Sequence, residues 1–317
     1  MTVRAVVPGE RGPSGGPALT DVVGRVLRVT QTSADVERRD GQVVAVVLGD
    51  VVGVRVVPDA PRRTRDPLTT SADDLTRVAT RGWPPLESEP LGDWLLRAAG
   101  GFTGRANSVA VHGDPGTGAS DALARVQAYY AARDLPARAQ VVVGSGWERT
   151  FEAAGWAPLP DANPGAVVQV AVLAEALAAC GEARRGVVVD EHLTDDWAAA
   201  YHRAAGADGD VVRAVLTGPP TTGFVSVRDD AGALQAVGRV VVTGEWAGLS
   251  AVEVSPALRR GGLGRAVVEA SLRWASDRGA DKAYLQTMRP NTAAIALYAG
   301  YGFVDHHDYR YLSPPRA

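Results

Sequence analysis

Short β-branched runs alternate with polar residues in the N-terminal part of the chain, whereas longer helical periods dominate the remainder. From residue 19 to 60 these runs are separated by Gly, Asp and Pro, which predicts closely spaced strands with a hairpin turn at Asp40-Gly41. So many short strands in so short a span predict a small barrel of SH3-like type. The Gly- and Pro-rich residues 1–18 are predicted to form a flexible tail.

Residues 61–90 mix Pro, Arg and Ser, which predicts a linker that contains one helix around Ala72–Ala79. From residue 91 onward strands and amphipathic helices alternate, which is the pattern of an α/β domain. Two stretches, 108–156 and 249–303, share an order of loop, helix, strand and helix, and both close on Gly followed by an aromatic residue. This indicates a duplication with a degenerate half over 91–185 and a catalytic half over 186–317. The alternative is that any two such stretches look alike.

The composition of the chain limits the classes of molecule that we expect it to bind. The chain has 317 residues, 46% of them hydrophobic, and a net charge of −3, so no overall positive field attracts nucleic acid or an anionic membrane. Cys180 is the single cysteine, which excludes an intramolecular disulfide and fits a reducing compartment. No apolar run approaches the roughly 18 residues of a membrane span, and no secretory leader is evident. We therefore expect a cytoplasmic protein with neither a membrane nor a nucleic-acid partner.

The segment RRGGLG, Arg259–Gly264, follows the predicted strand Leu249–Val254 and opens a helix whose apolar positions recur at helical spacing. A helix N-terminus presents unpaired N–H groups and the positive end of a dipole. Glycines there let a phosphate approach the backbone, and the arginines add charge-assisted donors. The arrangement therefore suits a pyrophosphate, with a surface turn that carries a solvated Arg pair as the alternative.

The spacing Arg259-x-x-Gly262-x-Gly264, the strand before it, and Asn291 leading a helix that ends in LYAGYGF resemble the coenzyme A segment of the GNAT N-acetyltransferases. The resemblance implies an α/β (α+β) GNAT fold with a mixed, mainly antiparallel sheet, and acetyl-CoA as co-substrate. It also implies a splayed pre-loop strand and Tyr298 as the general acid. The residues that it assigns to coenzyme A are Val252, Val254, Arg259, Arg260, Gly261, Gly262, Leu263, Gly264, Arg265 and Asn291.

Acyl transfer to an amine requires a base, because an ammonium has no lone pair. Glu253 on the pre-loop strand is the preferred candidate, and Glu245 in the preceding turn is the alternative. Along a strand Glu253 faces away from its two valine neighbours, so a structural ion pair is the competing interpretation. Tyr301, three residues after Tyr298, is the rival general acid, and core packing is the competing interpretation of Tyr298.

Nearly the whole chain is similar to an actinobacterial GNAT family with an N-terminal SH3-like unit that includes N-acetylglutamate synthases. This implies acetylation of the α-amino group of a small amino acid such as L-glutamate, as in arginine biosynthesis. Two carboxylates call for cationic partners, so Arg105 is predicted to bind the acceptor, with Asn107 as a neutral donor beside it. A structural role at the folded surface is the competing interpretation of both residues. A protein or histone-type lysine acetyltransferase and a non-catalytic acyl-CoA-binding regulator are the alternatives. A protein partner of the SH3-like unit and oligomerisation stay open.

No metal is expected. His306 and His307 are adjacent on a predicted strand and should therefore point to opposite faces.

Overall fold

The fold was taken from a computed structural model that describes residues 2–12, 15–38, 42–55, 66–159 and 165–315. The predicted hairpin turn at Asp40-Gly41 lies outside the described residues. The chain divides into two compact units, residues 1–63 and residues 64–317.

The first unit is a five-stranded antiparallel sheet in the order β4-β3-β2-β1-β5. Its strands are β1 (Thr2–Arg11), β2 (Pro17–Val29), β3 (Ser33–Arg38), β4 (Val43–Val47) and β5 (Val51–Arg55). The prediction of a flexible tail over 1–18 is wrong for its first part, because Val3 and Ala5 are buried and β1 pairs with both β2 and β5. The strand even includes Pro8 and Gly9 of the Gly- and Pro-rich segment. The SH3-like interpretation of the unit stays a prediction.

The second unit alternates helices and strands. Its helices are α1 (Ala72–Gly82), α2 (Ala119–Ala131), α3 (Gly146–Ala153), α4 (Leu173–Ala178), α5 (Asp195–Ala200), α6 (Gly209–Thr217), α7 (Leu263–Ser276) and α8 (Thr292–Ala299). Its strands are β6 (Glu87–Leu91), β7 (Trp94–Ala98), β8 (Val109–Ala110), β9 (Ala139–Val142), β10 (Ala157–Pro158), β11 (Ala166–Val172), β12 (Val187–Asp190), β13 (Thr222–Arg228), β14 (Leu234–Thr243), β15 (Trp246–Val254), β16 (Lys282–Thr287) and β17 (Val304–Ser313).

These strands form one sheet in the order β12-β13-β14-β15-β16-β11-β17-β9-β8-β7-β6, with β10 paired to β17. Described neighbours are antiparallel except β15 with β16 and β8 with β9. The strand order is symmetric about the central pair β11 and β17. On one side of this pair lie β16, β15 and β14, and at the matching positions on the other side lie β9, β8 and β7. Each half also receives the last strand of the other, since β11 pairs with β16 and β17 pairs with β9. The sheet therefore has the symmetry expected of a duplicated unit whose halves exchanged their last strands.

The structure differs from two of the predicted domain boundaries. The described part of the predicted linker belongs to the second unit, because α1 packs on β14 and β15 and β6 pairs with β7. Helix α1 itself was predicted, and Ser71 caps it by accepting a hydrogen bond from the backbone N–H of Asp74 at 3.1 Å. The predicted halves 91–185 and 186–317 are not separate units, because the strand exchange makes their sheet continuous.

Helices cover both faces of the second half of the sheet. On β13, Phe224 packs against Trp197 of α5, whereas the next residue, Val225, packs against Leu263 and Val267 of α7. This alternation places α7 on one face and α5 and α6 on the other. Nowhere in the described ranges is a helix both long and apolar enough to cross a membrane.

Candidate active site

The strands β15 and β16 separate part-way along the sheet. Their parallel pairing ends at Leu249 opposite Leu285 in the described chain, while β15 continues against β14 alone. Ala251 has a φ of 53° and lies at an irregularity in the register with β14. Backbone groups around Val252 and Val254 therefore have a strand on one side only, as the resemblance implies. Their contact with coenzyme A stays a prediction.

The loop after β15 turns sharply into α7. Arg260 and Gly262 have φ values of 67° and 78°, and Gly262 is the N-cap of the helix. Among the described residues no side chain caps this end, so its N–H groups remain available. Leu263 is buried and anchors the helix, whereas Arg259, Arg260 and Arg265 are exposed. The result is a positively charged loop with free donors beside the open edge of β15.

A further arginine, Arg184, approaches this loop from an earlier part of the chain. Nη1 of Arg184 donates a hydrogen bond to the carbonyl of Gly261 at 3.3 Å. Sequence reasoning missed Arg184 because it lies in a loop far away along the chain without a recognisable motif. A Cβ at Gly264 would meet Leu297 and Val254 at ordinary distances of 3.5 and 3.7 Å, so packing within the chain does not require glycine there.

Asn291 is the N-cap of α8. Its side-chain oxygen accepts a hydrogen bond from the backbone N–H of Ala294 at 3.3 Å. The side-chain nitrogen of Asn291, Nδ2, donates no hydrogen bond within the part of the chain that the structure describes. The residue therefore fixes the start of the helix that carries Tyr298 and keeps a donor for a ligand.

Tyr298 is 7% exposed in the core between α7 and α8, where its ring meets Phe303 edge-on. Burial raises the pKa of Tyr298 to about 12, so the phenol is protonated at neutral pH. Tyr301, the rival acid, donates its hydroxyl hydrogen to Glu269 at 2.8 Å, and burial raises its pKa as well. Of the two, Tyr298 keeps a hydroxyl without a described hydrogen-bond partner among the covered residues.

Glu253 faces the α5 side of the sheet, opposite to α7. Its Oε2 accepts a hydrogen bond from the backbone N–H of His202 at 2.7 Å, and Nδ1 of His202 lies 3.8 Å away. The carboxylate is 23% exposed and thus reachable from solvent. Glu245, the alternative base, forms an ion pair with the buried Lys282 at the start of β15, where β15 and β16 are still paired. Glu253 lies beyond Leu249, where β15 and β16 have separated, so it is better placed than Glu245 to act as the base.

A cleft lies where β15 and β16 separate, on the face opposite α7. Two arginines stack on Trp83 in this cleft, with the Cζ of Arg105 at 4.2 Å from the ring centroid and that of Arg239 at 5.1 Å. The remaining lining residues come from α1 and from the two separating strands: Ala79, Gly82, Gly248, Leu249, Ser250, Tyr284 and Gln286. The predicted residue Arg105 thus lies at the open strand pair, where Nη1 donates to Gln286 Oε1 at 3.1 Å. Sequence reasoning missed Trp83 and Arg239.

Asn107 does not reach this cleft. It is 4% exposed, and its Oδ1 accepts hydrogen bonds from the backbone N–H groups of Ala99 and Gly101. Its amide donates to the carbonyls of Phe102 and Thr103. The prediction that Asn107 binds the acceptor is wrong, because these bonds occupy its polar atoms and fix the loop that carries Arg105.

The adjacent histidines do not point apart as predicted. A shift in the pairing of β17 with β11, between Val168 and Gln169, brings Nδ1 of His306 within 2.7 Å of Nδ1 of His307. Burial lowers the pKa of His307 to about 4, so this ring is neutral at pH 7. Within the described ranges no group of three or more His, Cys, Asp or Glu residues is placed to hold a metal ion.

Proteins of similar sequence are named as acetyltransferases. The family model "Probable histone acetyltransferase Rv0428c C-terminal" matches residues 69–312. "Probable histone acetyltransferase Rv0428c" of Mycobacterium tuberculosis is 32% identical over 314 residues, which are 95% of this chain and 92% of the relative. "Uncharacterized N-acetyltransferase YobR" of Bacillus subtilis is 26% identical over 246 residues, 74% of this chain and 96% of that protein.

Solved structures show the same fold. A GCN5-related N-acetyltransferase from Kribbella flavida has a TM-score of 0.59 at 18% identity and covers 78% of this chain and 96% of its own. A tandem GNAT protein from the clavulanic acid biosynthesis pathway has a TM-score of 0.53 at 18% identity over 66% of this chain and 76% of its own. Fold and open strand pair together define a GNAT N-acetyltransferase. Within that class, the chain belongs to the family of the Rv0428c C-terminal region.

Proposed function

We propose that the chain transfers the acetyl group of acetyl-CoA to a primary amine at the opening between β15 and β16. The observation that carries the proposal is the free edge of β15 beyond Leu249 beside the uncapped start of α7. The pyrophosphate would lie on that helix start, with Arg259 and Arg260 as charge-assisted donors. The pantetheine arm would pair with the backbone near Val252 and Val254, which an ordinary sheet would have covered.

The residues around the opening suit each step of acyl transfer. Glu253 would take a proton from the ammonium of the acceptor, directly or through a water molecule. A backbone N–H near Val254 would bind the oxyanion that forms when the amine attacks the thioester carbonyl, an effect often worth ~3 kcal/mol. Tyr298 would protonate the departing thiolate, and its pKa of about 12 keeps that proton available at neutral pH.

For the acceptor we propose the α-amino group of a small amino acid such as L-glutamate. What supports this is that Arg105 and Arg239 both line the cleft at the opening of the strands. A lysine side chain of a protein is the second candidate, because the relative Rv0428c carries the name of a probable histone acetyltransferase. In that case the five-stranded N-terminal unit would recruit the partner.

Thiol release from acetyl-CoA, measured with a panel of free amino acids and with lysine-containing peptides, separates these candidates. We expect turnover with an acidic amino acid that depends on Tyr298. Turnover with peptides and none with any free amino acid would overturn the proposed acceptor. No thiol release with either class would leave a non-catalytic acyl-CoA-binding protein and overturn the proposed function itself.

A further inference from the structure

Arg239 is a buried cation with an unused donor. The residue is 1% exposed, and its Nε and Nη1 donate to the carbonyls of Leu216 and Gly82 at 2.8 and 3.0 Å. Nη1 also lies 3.4 Å from Ser250 Oγ, whereas Nη2 has no hydrogen-bond partner among the described residues. An unpaired donor on a buried charge is costly, so a missing partner is expected at this position.

The missing partner has the chemistry of an anion. Across the described chain neither Arg239 nor Arg105 forms a salt bridge with an acidic side chain. The ionisable groups that act on Arg239 are Arg105, Tyr284 and Tyr201. Burial lowers the pKa of Arg239 to about 9, so the guanidinium still carries its charge at neutral pH. Two cations without a carboxylate partner thus line one cleft, which an anionic ligand would neutralise.

The cleft is placed to bind the reacting molecule. Ser250, the residue that Arg239 contacts on β15, directly follows the last paired residue, Leu249. On the other strand Gln286 follows Leu285 and accepts the hydrogen bond of Arg105. The two arginines therefore bracket the point where the strands separate.

We propose that Arg239 and Arg105, stacked on Trp83, form the subsite that binds the carboxylate of the acceptor. This rests on the proposed acetyl transfer and restricts it to amines that carry a carboxylate. One carboxylate oxygen would accept a hydrogen bond from Nη2 of Arg239 and the other from the guanidinium of Arg105. The amine of the same molecule would then face the gap between β15 and β16.

Binding requires a movement of one side chain. Nη2 of Arg239 has almost no solvent-accessible surface in the structure, so the carboxylate reaches it only when a lining residue shifts. Arg105 is the residue that we expect to move. It is partly exposed, and a single side-chain hydrogen bond to Gln286 and the stack on Trp83 hold it in place.

The test separates carboxylate binding from acetyl transfer. Glutarate has the two carboxylates of glutamate but no amine, so its binding to the full chain is measured by calorimetry without any reaction. We expect Arg239→Gln and Arg105→Gln each to weaken glutarate binding about tenfold or more, the effect typical of a charge-assisted hydrogen bond. Arg213→Gln is the control, because Arg213 is paired with Asp195 on the exposed side of α6 and should leave the affinity unchanged.

Arg105→Gln keeps the test decisive if the buried Arg239→Gln variant does not fold. Glutarate binding that is absent in the wild type, or equal in Arg105→Gln and the wild type, would overturn the subsite. If glutarate binds through these arginines but no amine is acetylated, the proposed function fails and the subsite stands. If lysine peptides are acetylated and glutarate does not compete with them, the function stands and the subsite fails.

Discussion

Each half of the large sheet places a buried arginine on an equivalent strand, but the hydrogen bonding of the two arginines differs. Arg97 on β7 donates a hydrogen bond to Ser108, which directly precedes β8, and Arg239 on β14 donates one to Ser250 on β15; burial lowers the pKa of both guanidiniums. Every nitrogen of Arg97 has a partner, since Ser108, Thr80 and Gln140 accept its hydrogens. In the second half Nη2 is left without a described partner at the opening of the strands. The buried arginine of the first half is thus fully paired within the chain, whereas that of the second half keeps one donor without a partner among the described residues.

The ends of the helices repeat this contrast. Phe151 and Tyr298 each precede a glycine–aromatic pair by the same number of residues, and each backbone carbonyl accepts a hydrogen bond from the aromatic residue that closes the turn. The rings also meet their closing partners in the same edge-on manner. Phe151 lacks the hydroxyl that Tyr298 would use as an acid. Helix α3 in the first half thus repeats the packing at the end of α8 without the phenol that Tyr298 supplies there.

The largest effect is expected when Tyr298 is converted to its counterpart in the first half. Tyr298→Phe should lower kcat about 100-fold or more, because general acids contribute about 10² to 10⁴ to the rate, while the KM for acetyl-CoA should change little. Initial rates of thiol release measure both constants. The matched control is Tyr301→Phe, which removes a hydroxyl bonded to Glu269 and should leave kcat nearly unchanged. The opposite ranking of the two variants would assign the acid to Tyr301.

The basic loop Arg259–Gly264, at the proposed donor site, occurs in the second half and has no equivalent in the first. Replacing Arg259 and Arg260 together by Ala should raise the KM for acetyl-CoA about 10- to 100-fold, as expected for charge-assisted hydrogen bonds to phosphate. kcat should be nearly unchanged, because the loop binds a part of the donor remote from the thioester. Arg125→Ala on α2 is the control, since this exposed arginine pairs with Glu89 in the first half. An unchanged KM in the loop variant would remove the pyrophosphate from this position.

The packing of α7 on the sheet depends on a glycine that the first half lacks. Gly238 lies next to Arg239 where Leu96 lies next to Arg97, and a Cβ at Gly238 would be 2.2 Å from Cγ1 of Val267 on α7. Gly238→Ala should therefore lower the free energy of unfolding by about 1–3 kcal/mol through overpacking, measured by urea denaturation. Gly209→Ala, at an open helix start, serves as the control and should be neutral or stabilising. Equal stability of both variants would show that α7 does not need this close approach.

The smallest expected effect concerns the pH dependence of kcat. Burial raises the pKa of Tyr298 from its ordinary value to about 12, so its acid form persists where an exposed tyrosine would already ionise. We expect kcat at saturating substrates to stay level from about pH 8 to about pH 10 in the wild type. A fall of kcat with an apparent pKa near 10 that Tyr298→Phe abolishes would contradict this environment for the acid.

Local pattern predicted the elements that carry the donor chemistry. The strand Lys282–Thr287 and the start of α7 beside Gly262 are as expected, because glycine, proline and hydrophobic period act over neighbouring residues. The exchange of β11 and β17 and the strand Thr2–Arg11 depend on distant pairing partners, which no local pattern contains. The same holds for Arg239 and Trp83, whose meeting depends on how α1 packs on the sheet. Asn107 was misjudged because an amide that caps a loop and one that binds a ligand look identical in sequence.

The proposed function requires one donor site per chain, in the second half. Titration of coenzyme A into the full chain by calorimetry tests this most directly, with the Arg259→Ala/Arg260→Ala variant in parallel. We predict one equivalent of coenzyme A bound per chain, with an affinity lowered about tenfold or more in the variant. Two equivalents per chain, or one equivalent bound equally well by the variant, would contradict the assignment of an open catalytic half and a closed structural one.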